Sequence, residues 1–249
     1  YSALSRAKLP WYFHMLHAVK GFISGAAPLA EETMRKFGES FKRGKLLQGY
    51  GISECSPVVS TNVPWSNRIG SVGQALPSYQ VECFDEQMQP VARDAIGEIC
   101  VKGDCVMLGY FNRPNDTAEA IVDGWFRTGD IGKVDQDGFI YILDRKKDLI
   151  ISKGMNIYPR EIEEIIYTHD KVSACAVVGV RDLEANETPV AYIELKEDIS
   201  ATEAEIKDFI RPHLAPFKQP RKIIFMEKLP RNATGKILKR ELRELANKT

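Results

Sequence analysis

The sequence has no long apolar run and few cysteines. No stretch of about 18 consecutive apolar residues occurs, so we predict that no segment spans a membrane. The five cysteines form no CxxC pair and have no histidine cluster beside them, which argues against a zinc site and against a disulfide framework. No signal peptide is visible. We therefore expect a reduced, cytoplasmic protein, with peripheral membrane contact as an alternative.

Net charge is also absent. The 34 basic and 34 acidic residues cancel, so no overall field favours binding to nucleic acid or to an anionic membrane. The balance is uneven along the chain, because residues 207–249 hold 12 basic and 4 acidic residues and the remainder holds 22 and 30. This basic segment is either a solvated face or a lid that closes over a polyanionic small molecule. Because the chain opens at Tyr1 rather than Met, we expect a piece of a longer protein.

The pattern of apolar residues changes twice along the chain. Within residues 1–61, a strand that begins at Gly21, a helix over 30–41 and a strand over 46–51 follow one another. This order predicts a parallel α/β layer with ligands at the strand ends. Over residues 62–143, short strands alternate with turns rich in Gly, Pro and Asp, which predicts a small barrel or sandwich.

Residues 144–249 have the pattern of a compact α+β module. We predict a helix from Pro159, strands over 172–180 and 189–195, and a second helix that follows a capping box at Ser200–Glu203. A strand over 221–226 and a last helix over 237–246 complete the module. The charged residues Asp144 and Arg145 interrupt two apolar strands, and we place a domain boundary there.

A carboxylate and a guanidinium lie fifteen residues apart near that boundary. Asp130 belongs to the sequence Arg-Thr-Gly-Asp, which we predict to be a sharp polar turn that presents the carboxylate. Arg145 follows on the far side of one predicted strand. A carboxylate and a guanidinium together can hold the ribose and phosphate of a nucleotide. The alternative is an aspartate that only caps its own turn.

A second acidic position follows the strand over 46–51. Ser53 and Glu54 come directly after this strand, and a carboxylate beside a hydroxyl at a strand end suits Mg²⁺ bound together with phosphate. A surface turn is the alternative. Gly49 and Gly51 flank Tyr50, a pattern that fits a flat ring laid against the backbone, although a plain β-turn needs the same glycines.

Lys236 follows a run of turn-forming residues over 230–235, which predicts a mobile loop. Most lysines are simply solvated. An ammonium presented by such a loop, however, can stabilise an anionic transition state.

Several separated motifs agree in order and spacing with those of one family. They are SGAAPL (24–29), QGYGISE (48–54), RTGD (127–130), GFIYILDRKKDLIISKGMNIYPREIE (138–163) and PRNATGKI (230–237). On these motifs the chain resembles the AMP-forming acyl-CoA synthetases and the other adenylate-forming enzymes over essentially its whole length. Within that superfamily it looks most like the C-terminal half of a bacterial long-chain fatty acyl-CoA ligase.

The resemblance implies a two-step, ATP-dependent ligase. A fatty carboxylate attacks the α-phosphate of ATP to give an acyl-adenylate and pyrophosphate, a small domain swings, and the thiol of CoA takes the acyl group. Fatty acid, ATP and CoA would be the partners and Mg²⁺ the metal, with no prosthetic group and no nucleic acid. The implied fold is the end of an α/β layer (1–61), a distorted β-barrel (62–143) and an α+β lid (144–249).

The resemblance also implies a role for each motif residue. It assigns the nucleotide to Gly25, Ala26, Ala27, Pro28, Tyr50, Gly51, Ser53, Asp130, Ile142 and Arg145. It makes Lys236, Glu54 and Arg145 catalytic, with Glu54 as the Mg²⁺ ligand. Asp144 becomes the pivot of the domain rotation. Lys153 and Gly154 would belong to the loop used in thioester formation, and Gly49, Gly51 and Ile52 would border the acyl tunnel.

One element of the family pattern is missing. The phosphate loop of the form TSGTTGxPK occurs nowhere in these residues, and in the family it lies well upstream. We therefore expect the 249 residues alone to show little or no ligase turnover. Two alternatives to a fatty acid ligase stay open: an aryl or short-chain carboxylate CoA ligase, and a non-catalytic nucleotide-binding relic. The presence of both Lys236 and Glu54 argues against the relic.

Overall fold

The chain divides into two compact units. The computed structural model describes residues 1, 4, 19–25, 29, 31–182, 184–233 and 235–246. One unit comprises Tyr1–Lys146 and the other Lys147–Thr249. This division falls close to the boundary predicted at Asp144 and Arg145, whereas the finer division at residue 61 stays a prediction. Within the described ranges, no helix is both long and apolar enough to cross a bilayer.

The first unit contains two sheets. Strands β1 to β9 span Gly21–Ser24, Lys45–Gly51, Val58–Thr61, Gln74–Ala75, Tyr79–Phe84, Gly97–Gly103, Ile121–Val122, Trp125–Val134 and Ile140–Arg145. Helices α1 and α2 span Glu31–Ser40 and Pro114–Ala120. Strands β1 to β4 form one sheet in that order, and the second sheet has the order β5-β6-β8-β7 with β9 beside β8.

The first sheet begins with the predicted α/β layer. β1 and β2 pair in parallel, with Phe22 opposite Leu46. Helix α1 buries Met34 and Phe37 in a cluster with Leu46 and Phe41, because these apolar side chains recur at helical spacing on one face. The strand–helix–strand prediction is confirmed.

The second sheet is the predicted barrel-like part. Its strands are antiparallel, and its buried side chains include Val81, Ile99 and Phe126. Cys55 and Val59, which precede this sheet in the chain, pack into the same core. This packing fixes the segment after β2 against the second sheet.

The second unit is one mixed sheet covered on both faces. Strands β10 to β14 span Ile150–Ser152, Met155–Ile157, Val172–Asp182, Asn186–Leu195 and Lys222–Phe225, and helices α3 to α5 span Pro159–Tyr167, Glu203–Ile210 and Lys239–Ala246. The order is β11-β10-β13-β12, with β14 parallel to β13. Residues of α3 and α4 pack against the side chains on one face of the sheet. Leu242 of α5 packs against the side chains on the other face. Two covered faces explain why β12 is apolar almost throughout.

The helix cap in this unit differs from the prediction. Helix α4 begins after Thr202, whose hydroxyl accepts a hydrogen bond from the Glu205 backbone N–H at 3.2 Å. The capping box predicted over Ser200–Glu203 is therefore shifted by two residues. The sequence Ser-Ala-Thr-Glu-Ala-Glu offers two overlapping capping patterns, and local sequence does not choose between them.

Candidate active site

Asp130 lies in a bulge inside strand β8, and the predicted polar turn is wrong. Strand β8 pairs with β6 on both sides of the motif, but residues 128–130 stand opposite the single residue Ile99. Gly129 adopts a left-handed φ of 70°, which absorbs the extra length at no steric cost. A turn and a bulge use the same small polar residues, so the sequence pattern does not distinguish them.

The bulge brings three of the predicted nucleotide residues into contact. The Tyr50 hydroxyl donates to Asp130 Oδ2 at 2.6 Å, and Arg145 Nε lies 3.4 Å from Asp130 Oδ1. Arg145 lies directly opposite Asp130 in the antiparallel pair of β8 and β9. The spacing of fifteen residues between them is that of the two strands and the turn that joins them. The Asp130 side chain is only 6% exposed, while that of Arg145 is 45% exposed.

Electrostatics fixes the direction of the Tyr50 hydrogen bond. Burial, together with the charge of Asp130, raises the pKa of Tyr50 far above its ordinary value, because both disfavour the phenolate. Tyr50 thus keeps its proton and is the donor in this hydrogen bond, and Asp130 is the acceptor. The arrangement holds a carboxylate and a guanidinium side by side with one tyrosine ring, a donor set suited to a nucleoside monophosphate.

Strand β9 carries the other predicted residues of this region. Asp144 is buried, and its Oδ1 accepts the backbone N–H of Arg145 at 2.8 Å. Ile142 packs against the core of the second sheet. The predicted pivot therefore lies near the end of β9, two residues before the start of the one-turn 3₁₀ helix Lys146–Asp148.

Glu54 lies in a one-turn 3₁₀ helix, Ser53–Cys55, that follows β2. Its Oε1 accepts the Tyr110 hydroxyl at 3.0 Å, and its backbone carbonyl accepts the Met107 N–H at 2.8 Å. Among the described residues, Oε2 has no hydrogen-bond partner. One oriented carboxylate fits a Mg²⁺ that takes its other ligands from phosphate and water, and no group of three His, Cys, Asp or Glu side chains converges within the described ranges.

Gly51 is required by packing, whatever ligand it meets. A Cβ at this position would lie 1.9 Å from the Pro57 carbonyl oxygen, where β2 meets β3. Ile52, beside it, packs on the core of the second sheet. Gly49 pairs with Thr61 on β3, and a Cβ at Gly25 would be 3.8 Å from the Gly49 carbonyl oxygen. The residue that follows β1, Gly25, therefore lies beside Gly49 of β2.

Gly51→Ala is expected to lower the free energy of unfolding of this chain by about 1–3 kcal/mol, the usual cost of overpacking. Urea denaturation measures the change. Gly38→Ala is the matched control, because a Cβ there meets nothing within 4 Å. In the interior of a helix such as α1, alanine is more stable than glycine by about 1 kcal/mol. Equal stability of the Gly51 variant and the wild type would show that the backbone approach is not what requires glycine.

Lys153 and Gly154 form the tip of a hairpin rather than the predicted glycine-broken loop. β10 and β11 pair up to Ser152–Met155, and both tip residues have positive φ, 49° and 77°. This is the geometry of a two-residue type I′ turn. Both residues are exposed, so the hairpin presents the Lys153 side chain to solvent.

The loop that carries Lys236 is closed by hydrogen bonds. The Lys236 backbone N–H donates to Asn232 Oδ1, and the Asn232 N–H donates to the Lys236 carbonyl, each at 2.9 Å. Arg231 bridges to Ile237 across the loop. Lys236 is exposed. Among the described residues, hydrogen bonds therefore join the two ends of the predicted mobile loop and hold the Lys236 backbone in place.

Three predicted residues cannot be placed, and two residues that the sequence did not reveal contact the site. Ala26, Ala27 and Pro28 lie outside the described residues. Tyr110 and Glu98 contact predicted site residues or their neighbours, although neither belongs to a predicted site. For Glu98 the sequence did contain one signal, namely a charged residue inside an apolar strand. A buried charge requires a partner.

Two family profiles match the chain. One, described as AMP-binding enzyme, matches residues 3–111, and the other, described as AMP-binding enzyme C-terminal domain, matches residues 161–236. The chain belongs to the AMP-binding enzyme family. Its fold is accordingly the adenylate-forming fold predicted from the motifs.

Curated relatives within the AMP-binding enzyme family include two kinds of CoA ligase. The chain is 45% identical to a long-chain-fatty-acid–CoA ligase of Bacillus subtilis over 92% of this chain and 41% of that protein. It is 43% identical to a 2-succinylbenzoate–CoA ligase of Geobacillus kaustophilus over 81% of this chain and 41% of that protein. The chain thus spans about two fifths of the length of these relatives.

Solved structures of the family superpose closely on this chain. The ATP-bound crystal structure of MatB from Rhodopseudomonas palustris is 38% identical, with a TM-score of 0.86 over 90% of this chain and 45% of that one. The o-succinylbenzoate CoA synthetase MenE of Bacillus subtilis, in complex with its acyl-adenylate intermediate, is 34% identical, with a TM-score of 0.81 over 90% and 46%.

Proposed function

We propose that this chain is part of an AMP-forming fatty acid–CoA ligase, most like the long-chain enzymes. The observation that carries the proposal is the contact of Tyr50, Asp130 and Arg145, which gathers three residues from separate motifs at one place. Such a set binds ribose hydroxyls and phosphate. The likeness to long-chain-fatty-acid–CoA ligases supports the acyl substrate. We further propose ATP, CoA and Mg²⁺ as its small-molecule partners and the cytoplasm as its location.

The proposed roles follow the chemistry of each position. Asp130 accepts the ribose hydroxyls, Arg145 binds ribose or phosphate, and Lys236 stabilises the charge that develops on the α-phosphate during adenylation. Glu54 would hold Mg²⁺, which neutralises phosphate charge when bound.

The remaining roles concern the nucleotide ring, the acyl chain and the domain rotation. Asp144 is the pivot, and the hairpin tip Lys153–Gly154 serves thioester formation. The adenine borders the 25–28 segment together with Tyr50 and Gly51. Ser53 binds phosphate, and Ile142 lies beside the nucleotide. Gly49 and Ile52 border the acyl chain.

An aryl carboxylate is the second candidate substrate, because 2-succinylbenzoate–CoA ligases are similar at 43% identity. The deciding experiment profiles acyl-CoA formation by the full-length protein with fatty acids of graded length, benzoate and 2-succinylbenzoate. We expect the highest kcat/KM with a long-chain fatty acid, and AMP with pyrophosphate as products. A tenfold preference for an aromatic acid would replace the fatty acid by an aryl substrate, and no acyl-adenylate from any acid would favour the relic.

A further inference from the structure

Glu98 is a buried carboxylate with no role in the proposal above. Its side chain is 5% exposed and belongs to β6, four of whose seven residues are buried in succession. Glu98 Oε2 accepts Arg127 Nη2 at 2.7 Å and Lys146 Nζ at 3.0 Å. Its Oε1 accepts the Gly129 backbone N–H at 3.3 Å. A buried carboxylate is costly unless it is both paired and hydrogen-bonded, and Glu98 is both.

Glu98 is ionised at neutral pH. Burial raises the pKa of Glu98, but the hydrogen bonds and charges of Arg127 and Lys146 outweigh burial and leave that pKa below its ordinary value. Arg127 depends on Glu98 in turn, because its Nε is buried and has no hydrogen-bond partner among the described residues. Glu98 is therefore the anion that holds two cations.

The partners of Glu98 lie on opposite sides of the proposed pivot. Arg127 and Gly129 belong to β8, which pairs directly with β6, and Gly129 immediately precedes Asp130. Lys146 lies two residues after Asp144. Lys146 belongs to the same compact unit as Glu98 but follows Asp144 in the chain, so a rotation about the backbone of Asp144 would move it relative to β6, whereas Arg127 and Gly129 precede the pivot and would keep their contacts to Glu98. A rotation large enough to exceed the reach of the Lys146 side chain would therefore break the Glu98–Lys146 ion pair.

We propose that Glu98 is a positioning residue with two functions. It holds the bulge that presents Asp130 in every state, and it pairs with Lys146 to favour one rotational state of the pivot. This inference rests on the proposed two-step reaction, in which each half-reaction uses its own rotational state. Weakening the ion pair changes the population of the two states, and with it the relative speed of the two half-reactions.

The test compares Lys146→Met with the matched control Lys147→Met in the full-length protein. Each variant removes one positive charge from adjacent exposed positions, but only Lys146 pairs with Glu98. Adenylation is measured by ATP–pyrophosphate exchange, and thioester formation by acyl-CoA production from supplied acyl-adenylate. We expect Lys146→Met to change the ratio of the two rates about two- to fivefold, the size typical of a partly exposed ion pair, and Lys147→Met to leave the ratio unchanged.

A third variant separates the ion pair from a general structural effect. Glu98→Gln keeps an acceptor for Gly129 but removes the charge, so we expect the same direction of change in the ratio. In the double variant Glu98→Gln, Lys146→Met, the ratio of the two rates should equal that of Glu98→Gln alone, because the ion pair is already absent. Equal ratios in the Lys146 and Lys147 variants, with both half-reactions active, would overturn the inference but not the proposed function. If Glu98→Gln does not fold, the Lys146 comparison decides alone. Failure of the wild-type protein to form any acyl-adenylate would instead overturn the proposed function, and the inference with it.

Discussion

Lys236→Ala in the full-length protein is expected to slow acyl-adenylate formation by about 10²- to 10³-fold, the usual cost of removing one preorganised donor from a developing anion. Alanine keeps the backbone N–H of residue 236, which donates to Asn232 Oδ1, and its carbonyl, which accepts the Asn232 N–H, so both hydrogen bonds should remain. ATP–pyrophosphate exchange measures the effect. Thioester formation from supplied acyl-adenylate should change little, since the proposed role of Lys236 belongs to the first half-reaction.

The control for this prediction is Lys228→Ala. Lys228 is another exposed lysine of the same unit, so its loss tests whether positive charge alone is responsible. We expect less than a twofold change in exchange rate, as is usual for a surface charge that contacts no substrate. An unchanged exchange rate in the Lys236 variant would favour the nucleotide-binding relic over the ligase.

Asp130→Ala is expected to impair nucleotide binding and stability together. Loss of charge-assisted hydrogen bonds to ribose, each contributing about 1.5–3 kcal/mol, should raise the KM for ATP by roughly 10²-fold. The change also leaves the partly buried Tyr50 hydroxyl without its acceptor at 2.6 Å, which should lower the free energy of unfolding by about 1–3 kcal/mol. Steady-state kinetics and urea denaturation measure the two effects.

The double variant Asp130→Ala, Tyr50→Phe separates these effects. Removing the orphaned hydroxyl should recover part of the stability, but it cannot restore the carboxylate, so the KM for ATP should stay high. A destabilised Asp130→Ala protein with an unchanged KM would show that the aspartate has only a local structural role, as in the alternative that it merely caps its own turn.

Position in the sheet explains why the Arg-Thr-Gly-Asp motif was misread. The three polar residues and the glycine at 127–130 predict a break in secondary structure, because glycine and aspartate disfavour a regular strand. In the folded chain the segment is hydrogen-bonded to β6 on one side and β9 on the other. The two neighbouring strands hold it within the sheet, so the extra length becomes a bulge. Sequence periodicity carries no information about such neighbours.

The hairpin at Lys153–Gly154 shows a different limit. The sequence predicted a break at Gly154. A two-residue type I′ turn, however, also requires a left-handed backbone conformation at the residue before the glycine. Here that residue is Lys153, with a φ of 49°. Lysine has no preference for this region. Pairing of Ser152 with Met155 imposes it.

The sequence by itself determined the elements and the family. Apolar spacing placed the parallel strands β1 and β2 with helix α1 between them, and the apolar run of β12 marked a central strand, because such periodicity is a local property of the chain. The ordered motifs predicted the family that the comparisons confirmed. The individual site roles remain predictions.

Only the tertiary structure decided which side chains meet. Tyr50 reaches Asp130 across 80 residues, Tyr110 reaches Glu54 across 56, and Glu98 binds Lys146 across 48. The Tyr50–Asp130 contact depends on the register of strands and on one bulge, and a shift of a single residue turns every side chain of a strand to the other face. The Tyr110–Glu54 contact joins two segments that lie outside the strands. Register is set by the packing of the whole sheet, which no local stretch of sequence encodes.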